Sequence, residues 1–250
     1  MLRLHSHEDV FSPRHTPSWL MLCFAAGSIN GTAVLACDRF VTHVTGSVTR
    51  LGLAQMRWVV ALDFALVIFF FVCGAMLAGL SINGRVHRQL SPYHSVPLWI
   101  AATTITVVAL AGHLGWLAPF GSAVDEPGDF VFLCSLSFAM GLQNAAVATS
   151  TGMLVRTTHL TGPATDLGVH LAELVHARGQ ERTNARRHAL LRLGKILAYA
   201  TGAATAASLA QLEFLALLIP AGVIVAATLL SFEYKDVPEQ EGSVAHSSSK

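Results

Sequence analysis

Charged residues are scarce in this chain: they make up 12% of its 250 residues, against roughly 25% in an ordinary soluble domain. Apolar residues make up 53%, and the few charges cluster, which leaves long stretches almost free of them. The formal net charge is only +1. This balance offers no basic surface for a phosphate backbone, and we expect no nucleic-acid partner.

Sequence signatures of catalysis and metal binding are also missing. The four cysteines lie in or at apolar segments and form no C-x-x-C pair, which predicts packing roles rather than a disulfide framework or a zinc site. The chain contains no G-x-S-x-G and no H-E-x-x-H. We therefore expect no enzyme activity, no metal and no cofactor.

Long apolar runs dominate what is present. Six are about long enough to cross a ~30 Å hydrocarbon core as helices, namely 19–37, 58–80, 96–118, 130–153, 193–210 and 212–232. The last two need a break near Gln211 and Glu213, because one helix over 194–231 would measure about 57 Å. No period-2 alternation suggests a barrel. The sequence predicts an all-α, polytopic membrane protein with six helices surrounded by membrane lipids.

A twelve-residue phrase occurs twice, at 42–53 and at 158–169. Both copies read T-H-x-T-G-x-x-T-x-L-G and lie 116 residues apart, from Thr42 to Thr158. Each follows an apolar segment with a further partial match, Phe24, Gly27 and Asn30 in one and Phe138, Gly141 and Asn144 in the other. This ordered set predicts that the protein consists of two related halves.

The predicted organisation is a polar N-terminal tail (1–16), a first membrane repeat (17–120), a second membrane repeat (129–232) and a disordered C-terminal tail (233–250). Each repeat holds three spans, an odd number, so the second enters the membrane from the opposite side. Such inverted repeats with short broken helices recur in secondary transporters.

Basic residues indicate the orientation. Loops rich in Lys and Arg stay in the cytoplasm, and such residues follow the second span and precede the fifth. Both termini are then cytoplasmic. Three basic residues argue against this orientation, because they fall in the first loop, which it places outside: Arg39, Arg50 and Arg57. If Arg50, within the repeated phrase, is buried, it no longer counts as a loop charge.

The repeated phrase suits the start of a short helix. Thr45 or Thr161 would cap it, with Pro163 in the first turn, and a helix start that exposes N–H groups beside His43 or His159 suits an anion or a proton relay. The candidate solute-binding residues are the polar and glycine positions that the two halves share: Asn30, Thr42, His43, Thr45, Gly46, Thr49, Asn144, Thr158, His159, Thr161, Gly162 and Thr165.

A structural interpretation of the same residues stays open. Glycine and threonine permit close helix packing in membranes, and histidine bonds across helix interfaces. Asn30 and Asn144 would then bridge helices rather than line a polar pathway. Asp63 would pair with Arg57 or reach the membrane interface, with a proton-coupling role as the alternative. Three further glycines predict close helix contacts: Gly74, Gly79 and Gly202.

The combination of G-x-x-N with two T-H-x-T-G phrases resembles the YoaK-like family of bacterial membrane proteins, over about 19–232. The residues that carry the resemblance are Gly27, Asn30, Thr42 to Gly46, Thr49, Gly141, Gln143, Asn144 and Thr157 to Gly162. It implies about six helices and an inner-membrane location, but no function, since the family is a domain of unknown function.

We expect a small secondary transporter or permease for an unknown solute or ion, with a central site between the repeats. A channel is a close variant. A membrane scaffold or regulator that transports nothing is the main alternative, and an intramembrane enzyme has the least support. The sequence leaves the oligomeric state open, and a homo-oligomer is compatible with it.

Overall fold

The structure, a computed structural model, describes residues 7–54, 58–88, 90–121 and 127–232. Throughout these ranges the regular elements are helices and no strand occurs, which confirms the all-α prediction. The helices are α1 (His7–Val10), α2 (Thr16–Cys37), α3 (Val44–Leu53), α4 (Trp58–His87), α5 (Ser95–His113), α6 (Pro127–Ser150), α7 (Thr161–His176), α8 (Gly179–Ser208) and α9 (Leu218–Ser231), and a 3₁₀ segment, Ala210–Leu217, precedes α9.

Five stretches of the described chain are long and apolar enough to cross a membrane: α2, α4, α5, α6 without its first residue, and 210–231. They indicate a membrane protein. The predicted fifth span, in the C-terminal half of α8, is not among them, because Arg192 and Lys195 accompany many Ala, Gly and Thr residues there.

Burial separates central from peripheral helices. In the apolar stretches of α2 and α6, 67% of the residues are buried inside the protein, against 22% in α4, although α4 has the higher mean hydropathy. An apolar helix that its own protein does not cover needs an apolar solvent. The outward face of α4, with Leu62, Phe69, Met76 and Leu80 exposed, therefore suits lipid.

Two helix pairs, α2 with α8 and α4 with α6, form the most extensive contacts. In each pair the backbones approach so closely that a Cβ on a facing glycine would collide with a carbonyl oxygen of the neighbouring helix. The four contacts are Gly27 on Tyr199, Gly202 on Phe24, Gly74 on Phe138 and Gly141 on Phe71. This confirms the predicted roles of Gly74 and Gly202. The prediction for Gly79 was wrong, since a Cβ there would meet nothing within 4 Å.

The boundary between α8 and α9 lies near the predicted break. α8 ends at Ser208, and Glu213 has a left-handed φ of 50° inside the 3₁₀ segment. The chain around it is anchored by Phe214, whose ring packs against Phe120 and Phe132.

Part of the predicted N-terminal tail packs against the helices. Val10 is fully buried, and the Trp19 indole N–H donates to its carbonyl at 3.0 Å. His15 Nδ1 and Ser231 Oγ form a hydrogen bond of 3.0 Å that joins the start of α2 to the end of α9. The predicted C-terminal tail, 233–250, lies outside the described residues.

Candidate functional site

Asn30 in α2 and Asn144 in α6 hold the backbone that follows each helix. Asn30 Oδ1 accepts the N–H groups of Val41 and Thr42 at 3.1 and 3.2 Å. Asn144 Oδ1 accepts those of Thr157 and Thr158 at 3.0 and 3.4 Å. Both halves use the same two positions, the residue just before the repeated phrase and the first threonine of the phrase. The asparagines thus satisfy backbone donors that lie after a helix end.

The short helices that follow begin differently from the prediction. α3 begins at Val44 and α7 at Thr161, and the side chains of their N-cap residues, His43 and Leu160, make no capping hydrogen bond. The predicted capping by Thr45 or Thr161 was wrong, because both residues already lie in the first helical turn. The hydroxyls of Thr49 and Thr165 instead donate to the carbonyls of Thr45 and Thr161, at 2.9 and 3.1 Å, as is usual for threonine inside a helix. Pro163 does lie in the first turn of α7.

A histidine ring folds back over the first turn of each short helix. A Cβ on Gly46 would collide with Nδ1 of His43, and a Cβ on Gly162 would lie 3.1 Å from Nε2 of His159. In α7 the Gly162 N–H also donates to His159 Nε2 at 3.2 Å. The glycine of T-H-x-T-G therefore makes room for the histidine three residues before it.

Both copies of the phrase meet at one cavity of about 450 Å³, here called the central cavity. It lies between the starts of α3 and α7. Eight of the twelve predicted site residues line it: Asn30, Thr42, His43, Thr45, Asn144, Thr158, His159 and Thr161.

The remaining four predicted residues lie beside it. Gly46 and Thr49 line a second cavity of about 770 Å³ between α3 and α4, the α3 cavity. Gly162 lines a third of about 170 Å³ beside α7 and α8, the α7 cavity. Thr165 is an exposed residue of α7.

Sequence reasoning missed six lining residues. Two of them, Val44 and Leu160, occupy the variable position of T-H-x-T-G, and the other four are Phe40, Phe71, Arg156 and Tyr199. Phe40 and Arg156 each stand two residues before the repeated phrase, so the mismatch between them was visible as a break in the repeat. Tyr199 comes from α8 and its hydroxyl bonds Thr42 Oγ1 at 2.7 Å. Nothing in the sequence linked it to the phrase, because α8 reaches Thr42 only through its packing on α2.

The electrostatics of the central cavity favour negative charge. Arg156 is the one Lys or Arg in its lining, and the lining contains no Asp or Glu. Within the described residues Arg156 has no ion pair. The first-turn N–H groups of α3 and α7 add positive ends of two helix dipoles. In the same described part of the chain, no three His, Cys, Asp or Glu side chains are grouped to hold a metal ion.

The histidines connect the three cavities. His43 lines both the central and the α3 cavity, and His159 lines both the central and the α7 cavity. The three cavities therefore lie beside one another at the starts of both short helices.

Two other polar residues of the membrane helices are held structurally. Asp63 is buried and pairs with Arg39. The alternative partner that the sequence offered, Arg57, lies outside the described residues. Arg39 precedes the phrase and reaches Asp63 because α3 folds onto α4. Gln143 is fully buried and donates at 3.0 Å to both the Leu22 carbonyl and Thr157 Oγ1.

Comparison with known proteins identifies a family. No curated protein and no solved structure matches the chain. A family described as "Protein of unknown function (DUF1275)" matches residues 18–230, which cover both repeated phrases. The chain belongs to this family, the YoaK-like family that its sequence resembles.

Proposed function

We propose that this protein is a small secondary transporter or permease for an anionic solute, with the central cavity as its binding site. The observation that carries the proposal is the lining of that cavity. Equivalent Asn, Thr and His residues of two separate phrases surround it, together with an unpaired Arg156.

The proposal includes two inverted repeats. Packing supports it: the α2–α8 contacts of Gly27 and Gly202 correspond to the α6–α4 contacts of Gly141 and Gly74. α3 packs on α4 as α7 packs on α8. In this arrangement α8 crosses the membrane as a sixth span alongside α2, and both termini lie in the cytoplasm of a bacterial cell.

An anion is the solute class that fits best. Helix starts aimed at a cavity from opposite halves are the arrangement by which transporters with broken helices bind carboxylates. Arg156 supplies a fixed positive charge, and no carboxylate in the lining opposes it. Small neutral donors, Thr42 and Thr158 among them, would complete the coordination of the anion.

A non-transporting scaffold is the second candidate, and the asparagine contacts favour it. Asn30 and Asn144 each use Oδ1 to accept two backbone N–H groups, and the glycines of the phrase make room for histidine rings. Much of the repeat is therefore explained by folding alone. The scaffold has no use for an unpaired Arg156 at the cavity, which is why we place it second.

The topology is tested by single cysteines at the far ends of the short helices. Leu53 and Val175 are 71% and 76% exposed, so L53C and V175C would be tolerated. An impermeant maleimide should label L53C from outside intact cells and V175C only after the inner face is opened. The unaltered chain, with its four native cysteines, is the background control. Labelling of both from one side refutes the inverted repeat.

Transport is tested in proteoliposomes with a panel of acetate, lactate, succinate, nitrate, sulfate and phosphate. We expect at least one anion to move and to raise the melting temperature of the purified protein. His43→Ala and His159→Ala should fold and insert but lose flux. Matched variants at His176, exposed on α7, should keep it. Undiminished flux in both cavity variants, or no transported anion, contradicts the proposal.

A further inference from the structure

Lys195 is the most deeply buried charged side chain described, with 1% of its surface exposed. It lies in α8, on the α7 cavity, with Arg156 and Arg192 in the same lining. Throughout the described chain no ion pair or hydrogen bond involves it. Burying an ionisable side chain at this depth without an ion pair is expensive, so an anion bound in the cavity would stabilise it.

The balance of charge in the α7 cavity is positive. Its lining contains three cations and a single carboxylate, Asp166. Asp166 is already paired with Arg192 at 3.2 Å, and Arg192 also donates to the Leu154 carbonyl at 3.4 Å. Neither the buried Lys195 nor the exposed Arg156 therefore has an ion pair of its own at this cavity.

The dimensions restrict the partner. A water takes about 30 Å³ in the liquid, so a cavity of about 170 Å³ has room for one group of four or five polar atoms and little more. A phosphate, sulfate or carboxylate group fits this volume, and a larger organic body would have to extend out of it. Lys binds phosphate as a point charge, and Arg156 adds a planar set of donors.

We propose that the α7 cavity is an oxyanion-binding site with Lys195 as its principal ligand. Resting on the proposed function, this makes it a second station for the solute, since Arg156 and His159 line both the α7 cavity and the central cavity. The oxyanion is either a soluble ion or the phosphate of a lipid headgroup, and the two share this chemistry.

Binding is measured by thermal unfolding of the purified full chain in lipid-depleted detergent. One arm titrates inorganic phosphate or sulfate against chloride at matched ionic strength, and the other titrates a short-chain phosphatidylglycerol. We expect a saturable rise in melting temperature in at least one arm. A rise only with the lipid identifies a headgroup site, and a rise with phosphate or sulfate identifies a soluble oxyanion. No rise in either overturns the proposal.

Lys195→Met keeps the volume of the side chain and removes its charge. It should fold, and the apparent affinity should weaken at least about tenfold, since a charge-assisted contact is lost. Arg187→Gln removes one positive charge from an exposed position of the same helix and should change nothing. If K195M does not fold, Arg156→Gln, at an exposed position, gives the same test. Unchanged affinity in the Lys195 variant refutes the site.

The outcome is separable from that of the transporter proposal. Oxyanion binding that depends on Lys195, without flux of any anion, keeps this site and rejects transport. Flux that survives in K195M, with no binding difference between K195M and the unaltered chain, keeps transport and rejects the second station.

Discussion

Asn30 and Asn144 hold the chain after α2 and α6 through the same pair of backbone contacts, whereas the side chains around those contacts differ between the halves. Where the first half places Phe40, the second places Arg156. Where Tyr199 bonds Thr42, Phe71 occupies the corresponding place beside α6 and has no hydroxyl. The backbone arrangement is duplicated, but its chemistry is not.

This difference teaches which residues serve the fold and which serve the cavity. A duplicated contact, such as that of Asn or of a helix-packing glycine, is needed wherever the same backbone is built. A charge present in one half only is not required by that backbone. Arg156 and Lys195 belong to the second kind, and both line the α7 cavity.

The largest expected effect tests the duplicated helix contacts. Gly74→Ala and Gly141→Ala should each cost at least about 3 kcal/mol, because a methyl group there meets a backbone carbonyl that cannot rotate away. Gly79→Ala, on the same helix as Gly74, should be neutral or stabilising by up to about 1 kcal/mol. Melting temperature and the monodisperse yield in detergent measure both. A smaller loss of stability for Gly74→Ala than for Gly79→Ala would contradict the close helix contact at Gly74.

The next effect tests the duplicated asparagines. Asn30→Leu and Asn144→Leu each leave two backbone N–H groups without an acceptor, and each should cost about 2 kcal/mol. Asn184→Leu, at an exposed site of α8, should stay within about 0.5 kcal/mol. Chemical denaturation in detergent gives the values. Similar losses of stability at Asn30 and Asn144 would support equivalent roles for the two asparagines. A loss at only one of them would show that the halves differ even in their backbone support.

The distinction between duplicated and one-sided residues also explains how much of this structure the sequence predicts. Repetition revealed what the fold uses twice: the phrase and the asparagines that hold the backbone before it. It could not reveal Tyr199, because its partner Thr42 lies 157 residues away and only the packing of α8 on α2 brings them together. Arg156 was visible only as a mismatch, which a search for repeated residues passes over.

The capping prediction failed for a local reason. Thr45 and Thr161 looked like caps because threonine before a glycine suits a helix start, yet the histidine ring occupies the space above that first turn. For Asp63 the sequence left Arg57, the membrane interface and a proton-coupling role open, and it did not point to Arg39, which the fold of α3 on α4 brings to it.

The next prediction concerns transport and the charge that only the second half has, that of Arg156. Arg156→Gln should raise the half-saturating concentration of the transported anion about tenfold or more, because a charge-assisted contact is lost. Phe40→Leu, at the corresponding place in the first half, should change it less than about threefold. Concentration series of flux in proteoliposomes provide the comparison. Equal effects at the two positions would mean that shape, not charge, sets affinity.

The smallest effect concerns the hydroxyl that only one half has. Tyr199→Phe and Thr42→Val should each cost about 1 kcal/mol, the usual net value of a hydrogen bond. The double variant should lose only slightly more stability than either single variant, because both single changes remove the same hydrogen bond. Phe71→Tyr should be tolerated, because Tyr199 already occupies the equivalent place in the other half. If Tyr199→Phe instead unfolds the protein, the hydroxyl supports the backbone itself. The two halves would then differ in their backbone support as well as in the chemistry of the cavity.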